Sequence, residues 1–139
     1  MLRAREVVTS IHEIDYEGLR SRGIRALVFD LDNTLGPRHP TRLGRAVVRL
    51  LGRLQDMGFA VGVLSNRRRT GDPVIAELAQ RFPLRQRAGK PRVRGFRDLL
   101  AKLDVEAADA AMIGDRRLTD ILGANRLGMY TIRVKRPAH

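Results

Sequence analysis

The 139-residue chain contains no cysteine, and aromatic residues make up only 4% of it. The absence of cysteine excludes disulfide bonds and thiolate metal sites, and the scarcity of aromatic side chains argues against an aromatic-rich nucleic-acid-binding motif. No apolar run approaches the roughly 18 residues that a membrane-spanning helix needs. Residues 1–15 lack the continuous apolar core of a signal peptide. The sequence therefore predicts a soluble, cytoplasmic protein.

Acidic residues are scarce relative to basic ones, with 15 Asp and Glu against 27 Lys and Arg and a formal net charge of +12. This balance favours anionic partners, namely phosphate compounds, nucleic acid or the surface of an anionic membrane. Only Lys90, Lys102 and Lys135 are lysine, and such an arginine excess also arises from the codon bias of a genome. The charge thus allows peripheral contact with a membrane, and nothing in the sequence sets the oligomeric state.

No repeat, low-complexity segment or linker divides the chain, so residues 1–139 are predicted to form a single domain. Apolar runs predict strands at 24–29, 59–64, 84–88, 109–114 and 129–134. Amphipathic patterns predict helices at 41–57, 72–82, 96–103 and 118–127. This alternation predicts an α/β, three-layer, Rossmann-like fold with an open, mostly parallel five-stranded sheet and helices on both faces.

Polar and charged residues directly follow four of the predicted strands. In an open parallel sheet the carboxyl ends of the strands share one edge, and ligands bind there. The residues that this rule brings together are Asp30, Asp32, Ser65, Asn66, Lys90, Asp115 and Asp120. The sequence therefore predicts one functional site at this edge.

The residue types at this edge favour phosphoryl transfer. Asp30 and Asp32 lie two residues apart in an extended segment, so both side chains could face one space. Several carboxylates in one site need a compensating cation, and oxygen ligands without histidine or cysteine favour Mg²⁺. An aspartate can attack a phosphoryl group, while a lysine and a hydroxyl group hold its oxygens.

Four short motifs resemble those of the haloacid dehalogenase (HAD) superfamily, in the same order. "DLDNTL" is similar to the first motif, D-x-D-x-T, and "LSN" to the second; "AGKP" supplies the lysine of the third, and "GDRRLTD" the acidic pair of the fourth. Together they span residues 24–134. The segments "GIRALVFDLDNTLG" and "GDRRLTDILGANRLGMYTI" also resemble the YqeG-type group near subfamily IIIA, which has phosphatidylglycerophosphate phosphatases among its relatives.

The resemblance implies a role for each matching residue. Asp30 would be the catalytic nucleophile that forms an aspartyl-phosphate. Asp32 would protonate the leaving group and then activate the hydrolytic water. Lys90 would be catalytic and would bind the substrate phosphate together with Ser65 and Asn66.

The resemblance further implies Mg²⁺ as cofactor and a site without a cap domain. The implied metal ligands are Asp30, the backbone carbonyl of Asp32 and Asp115. Asp120 would bind the metal directly or interact with one of its ligands. One loop, one helix and one strand fill residues 30–65, and one helix and one short strand fill residues 65–90, which leaves no room for a cap. An uncapped site favours a bulky or surface-displayed phosphate such as that of phosphatidylglycerophosphate.

Eight arginines in or just after the edge loops are predicted to dock the site on a polyanionic surface. They are Arg38, Arg67, Arg68, Arg69, Arg92, Arg94, Arg116 and Arg117. Three alternatives stay open at this point. The chain could be a nucleotide or nucleic-acid-end phosphatase, an RNA-binding or ribosome-assembly factor that kept the fold without turnover, or a receiver-type switch.

Overall fold

The centre of the molecule is a fully parallel sheet of six strands, in a computed structural model that describes residues 1–36 and 42–135. The strands are β1 (Glu6–Val8), β2 (Ala26–Phe29), β3 (Ala60–Leu64), β4 (Leu84–Arg85), β5 (Ala110–Gly114) and β6 (Tyr130–Val134). Their spatial order is β1-β6-β5-β2-β3-β4, and every neighbouring pair runs parallel. The predicted α/β, Rossmann-like fold is confirmed.

Within the described residues, five α-helices cover the two faces of this sheet. They are α1 (Tyr16–Ser21), α2 (Arg45–Asp56), α3 (Pro73–Ala79), α4 (Val93–Leu103) and α5 (Leu122–Leu127). One buried core joins α1, α2 and α3 to one face, and a second core joins α4 and α5 to the other. None of the helices in the described part of the chain has the length and apolar content needed to cross a bilayer.

The sheet has one strand more than the five that the sequence predicted. Strand β1 pairs with β6, with Glu6 opposite Ile132 and Val8 opposite Val134. Three residues are too few to establish an alternating pattern. This strand therefore exists only because the far end of the chain offers it a parallel partner.

Several predicted elements are also shorter or less regular in the structure. Helix α2 begins at Arg45, because Gly44 has an extended backbone (φ −70°, ψ 154°) and occupies the N-cap position. Residue 41, where the predicted helix begins, lies outside the described residues. Strand β4 has two residues rather than five. The helix predicted at 118–127 opens with a π-helical turn at Arg117–Ile121, and α5 follows it.

The order of the strands determines which loops become neighbours. Strand β2 lies between β3 and β5 and is parallel to both. The residues that follow these three strands, Asp30, Ser65 and Asp115, therefore lie side by side at one edge of the sheet. The edge predicted from the sequence is the edge that the fold forms.

Candidate active site

The buried ammonium group of Lys90 lies at the centre of this edge. Its Nζ atom donates hydrogen bonds to Asp30 Oδ1 at 2.7 Å, to Asp120 Oδ1 at 2.6 Å and to the Leu64 carbonyl at 3.1 Å. An ammonium group has three hydrogens to donate, and all three are used. Lys90 is 6% exposed, Asp30 7% and Asp120 0%, so these ion pairs are shielded from water.

Asn66 positions the loop that carries this lysine. Its Oδ1 atom accepts a hydrogen bond from the Lys90 backbone N–H at 2.9 Å, and its Nδ2 atom donates to the Lys90 carbonyl at 3.3 Å. The side chain predicted to bind substrate is therefore engaged with the Lys90 backbone, although Asn66 also lines the cavity beside it. This reciprocal pairing ties the loop after β3 to the loop before α4.

Three carboxyl groups converge next to Lys90. Asp30, Asp115 and Asp120 each offer an oxygen that lies within 4.8 Å of the oxygens of the other two. Asp115 Oδ1 is buried and has no hydrogen-bond partner among the described residues. When all three are ionised, the carboxylates exceed the single ammonium group by two negative charges. One divalent cation would cancel these charges and take up the unpaired oxygen, so the residues present fit Mg²⁺.

Burial makes ionisation of this cluster costly. It raises the pKa of Asp30 to about 7, although the charge of Lys90 acts in the opposite direction. Burial, followed by the nearby charge of Asp120, also raises the pKa of Asp115. Desolvation is the largest cause of both shifts, and a bound cation would favour the ionised form of these carboxyl groups.

Gly114, the last residue of β5, allows Asp120 to approach the cluster. A Cβ atom at this position would lie 2.3 Å from Asp120 Oδ2. That oxygen accepts a hydrogen bond from the Arg116 backbone N–H at 3.2 Å, while Oδ1 accepts from Lys90. Asp120 is thus fixed at both oxygens in a space that only glycine leaves open.

Gly114→Ala is expected to lower the free energy of unfolding by about 1–3 kcal/mol, because the added methyl group must displace the Asp120 carboxylate. Gly52→Ala is the matched control. Gly52 lies within α2, and no atom lies within 4 Å of the place that a methyl group would take there, so alanine should stabilise by up to about 1 kcal/mol. Urea unfolding measures both changes. Equal stability of Gly114→Ala and the unmodified chain would contradict the placement of Asp120.

Arg67 connects two further acids at the rim of the site. Its Nη2 and Nε atoms donate to Asp32 Oδ1 at 2.8 Å and Oδ2 at 3.3 Å, and its Nη1 atom donates to Asp72 Oδ2 at 2.6 Å. The hydrogen bond to Asp32 is the main cause that raises the pKa of Arg67. Asp72 Oδ1 accepts from the Val74 N–H and caps α3. The Asp32 side chain thus faces Arg67 and is not one of the three clustered carboxylates.

Ser65 lies at the same edge but is completely buried. Its Oγ atom accepts a hydrogen bond from the Arg67 backbone N–H at 3.1 Å. A hydroxyl group that accepts one hydrogen bond still has its own hydrogen to donate. The predicted contact of Ser65 with phosphate therefore stays a prediction, with the donor in place at the end of β3.

The site opens to solvent through a cavity of about 220 Å³. Its lining residues are Asp30, Asp32, Asn66, Arg67, Lys90, Arg116 and Thr119. Of the arginines predicted to form a basic rim, Arg68, Arg69, Arg92, Arg94, Arg116 and Arg117 are exposed. Arg67 turns inward, with a side chain only 13% exposed, and Arg38 lies outside the described residues. The sequence did not single out Arg67, because nothing local separates it from the two arginines that follow.

Comparisons of sequence and of structure relate this chain to known proteins. Residues 87–139 match the family model Hydrolase_like, described as HAD-hydrolase-like. The chain is 30% identical over 129 residues to "Probable phosphatase YqeG" of Bacillus subtilis, an alignment that covers 93% of this chain and 74% of that protein.

Two further comparisons cover smaller shares of the other protein. "Phosphatidylglycerophosphate phosphatase 1, chloroplastic" of Chlamydomonas reinhardtii is 31% identical over 133 residues, which are 90% of this chain and 49% of that relative. This chain thus spans about half the length of that relative. The crystal structure of a HAD phosphatase from Thermococcus onnurineus has a TM-score of 0.60 at 22% identity, over 70% of this chain and 48% of that one. This likeness shows a shared fold.

Proposed function

Since this chain belongs to the haloacid dehalogenase superfamily and is a phosphatase of its YqeG-like group, we propose that it hydrolyses phosphomonoesters with Mg²⁺ through an aspartyl-phosphate on Asp30. One observation carries the proposal. Asp30 lines the open cavity and at the same time belongs to the three-carboxylate cluster beside Lys90. A nucleophile, a cation-binding group and a fixed positive charge thus meet at one point.

The proposed reaction begins with attack of an Asp30 carboxylate oxygen on phosphorus. The bond from phosphorus to the ester oxygen breaks, and Asp32 gives its proton to the departing alcohol. Asp32 then takes a proton from water as that water attacks the phosphorus, which releases phosphate and restores the Asp30 carboxylate. Lys90 keeps Asp30 oriented through the 2.7 Å hydrogen bond to Oδ1.

Asp30, Asp115 and Asp120, with the backbone carbonyl of Asp32, would hold Mg²⁺. When bound, Mg²⁺ neutralises charge on the carboxylates and on the phosphoryl oxygens. The unpaired, buried Asp115 Oδ1 supports this assignment, because a carboxylate oxygen without any partner is costly in a protein interior.

Arg67 is proposed to position Asp32 for its acid–base role. Arg67→Gln should lower kcat/KM, which reports the phosphoryl-transfer step, about ten- to a hundredfold for an alkyl phosphate, since small misplacements of a catalytic group have effects of this size. The loss should be much smaller for para-nitrophenyl phosphate, because its leaving group departs without a proton. Arg68→Gln, which removes the same charge from an exposed neighbour, is the control. Equal losses on both substrates would contradict the assignment.

The proposed substrate carries its phosphate on a bulky group or at a surface, and phosphatidylglycerophosphate is the first candidate. The cavity is open, and no inserted domain covers it among residues 1–36 and 42–135. The five residues between these ranges are too few to form a cap domain. A relative that hydrolyses phosphatidylglycerophosphate by its name supports this choice.

A panel of phosphomonoesters tests the proposal. It contains phosphatidylglycerophosphate in mixed micelles, 5′-nucleotides, a 5′-phosphorylated oligonucleotide and para-nitrophenyl phosphate, each with Mg²⁺ or with EDTA. We expect phosphate release that requires Mg²⁺, and an acid-quenched protein-bound phosphate that hydroxylamine removes, as it does for acyl phosphates. No release from any member by folded, Mg²⁺-loaded protein would overturn the proposal. So would a bound phosphate that resists hydroxylamine.

A further inference from the structure

A second, larger cavity of about 440 Å³ lies beside the catalytic one. Four arginines, Arg3, Arg5, Arg117 and Arg133, line it together with one acid, Glu6. Glu6 Oε2 accepts a hydrogen bond from the Tyr130 hydroxyl group at 2.5 Å. The acid is therefore already engaged, and the positive charge of the arginines dominates this cavity.

Two consecutive residues line the two cavities. Arg116 lines the catalytic cavity and Arg117, the next residue, lines the second. Arg133 also joins them, because its Nε atom lies 3.4 Å from the carbonyl oxygen of Asp115, a member of the carboxylate cluster. Arg133 thus connects the second cavity to the loop that carries Asp115.

The four large apolar side chains that are exposed in the described part of the chain line this second cavity or directly neighbour, in sequence, a residue that lines it. They are Met1, Leu2, Val7 and Leu118, with exposed fractions of 69%, 43%, 58% and 66%. Leu2 and Val7 line the cavity, and Leu118 directly follows Arg117. Exposed apolar side chains that cluster beside basic ones mark an interaction surface.

The fold holds this region in place and leaves it uncovered. Asn125 of α5 donates hydrogen bonds from Nδ2 to the carbonyl groups of Met1 at 2.8 Å and Arg3 at 3.0 Å, which fixes the first residues beside that helix. Val7 pairs with Arg133 in the sheet, and β1 is the edge strand. The basic and apolar side chains therefore form a fixed part of the surface.

We propose that these residues form a docking surface for an anionic phospholipid bilayer, so that the catalytic cavity faces a phosphate on a lipid. The docking surface consists of Arg3, Arg5, Arg117 and Arg133 with Leu2, Val7 and Leu118. Arginines attract anionic headgroups, and apolar side chains enter the boundary between headgroups and acyl chains. RNA would use the arginines but would gain little from exposed leucine and valine. The choice of a lipid phosphate rests on the proposed function.

Vesicle co-sedimentation tests the docking surface without any need for turnover. The full chain should bind vesicles of phosphatidylglycerol and phosphatidylcholine and should bind pure phosphatidylcholine vesicles much more weakly. Arg3→Gln/Arg117→Gln should weaken binding to the anionic vesicles at least about tenfold, because each arginine near an anionic surface contributes about 1 kcal/mol of binding free energy. Leu118→Gln should weaken it severalfold. The matched control is Arg45→Gln/Arg49→Gln, which removes the same charge from the exposed side of α2, and it should bind nearly as well as the unmodified chain.

Either of two results with the variants would overturn the docking surface. One is an equal loss of vesicle binding in the α2 control, which would mean that only total charge matters. The other is RNA binding that depends on Arg3 and Arg117 while Leu118→Gln leaves vesicle binding unchanged. Hydrolysis of the phosphomonoester panel without vesicle binding would remove the docking surface and keep the proposed function. Vesicle binding without any hydrolysis would remove the proposed function and keep the docking surface.

Discussion

Asp30→Asn is expected to lower kcat by at least about a thousandfold, because an amide cannot replace a carboxylate as the attacking group. The substitution keeps the size of the side chain. Lys90 retains its 2.6 Å ion pair with Asp120, so the fold should persist. Phosphate release from para-nitrophenyl phosphate measures the loss, and the hydroxylamine-sensitive phosphoprotein should disappear with it.

Asp98→Asn is the matched control for this experiment. Asp98 lies in α4 and makes a solvent-accessible ion pair with Arg85 at 3.6 Å. It is not a member of the carboxylate cluster. The same chemical change there should leave kcat within about twofold, since exposed ion pairs contribute little. Substantial turnover by Asp30→Asn would assign the nucleophile to another residue.

Lys90→Met is expected to lower the free energy of unfolding by about 3–5 kcal/mol in EDTA, because it leaves Asp30 and Asp120 buried without their partner. Lys90 donates to both carboxylates in a site that is almost closed to water. Mg²⁺ should restore part of the lost stability, since a cation replaces the missing positive charge. Urea unfolding with EDTA and with Mg²⁺ measures both effects.

Lys102→Met provides the control for the lysine. Its Nζ atom donates to the Leu84 carbonyl at 3.1 Å in an exposed position, so its removal should change stability by less than about 1 kcal/mol. Adding Asp120→Asn to Lys90→Met should recover stability, because one of the two stranded charges is removed. Equal unfolding of the two lysine variants in EDTA would contradict a buried, paired Lys90.

Much of the fold could be predicted from the sequence because its signals are local. Apolar runs locate the central strands, and amphipathic patterns with caps such as Asp72 locate the helices. Strand β1 could not be predicted, because its three residues pair with β6, which comes from the other end of the chain. The start of α2 shifted for a local reason, since Gly44 favours an extended conformation before the helix.

The candidate site also has a part that could be predicted from the sequence and a part that could not. The rule that strand ends share an edge brought Asp30, Lys90, Asp115 and Asp120 together, and the structure has them in contact or close together. The inward turn of Arg67 could not be read from the sequence. It depends on Asp32 from another crossover and on Asp72 five residues later, and only the folded chain brings the three together.

The pairing of β1 with β6 has a consequence for folding during synthesis. Among the described strands β1 is synthesised first, and its hydrogen-bonding partner β6 is synthesised last. The segment before β2 therefore has no strand partner until β6 has been synthesised. The ion pairs of Lys90 with Asp30 and Asp120 likewise join residues 60 and 30 positions apart in the sequence, so they can form only after all three residues have been synthesised.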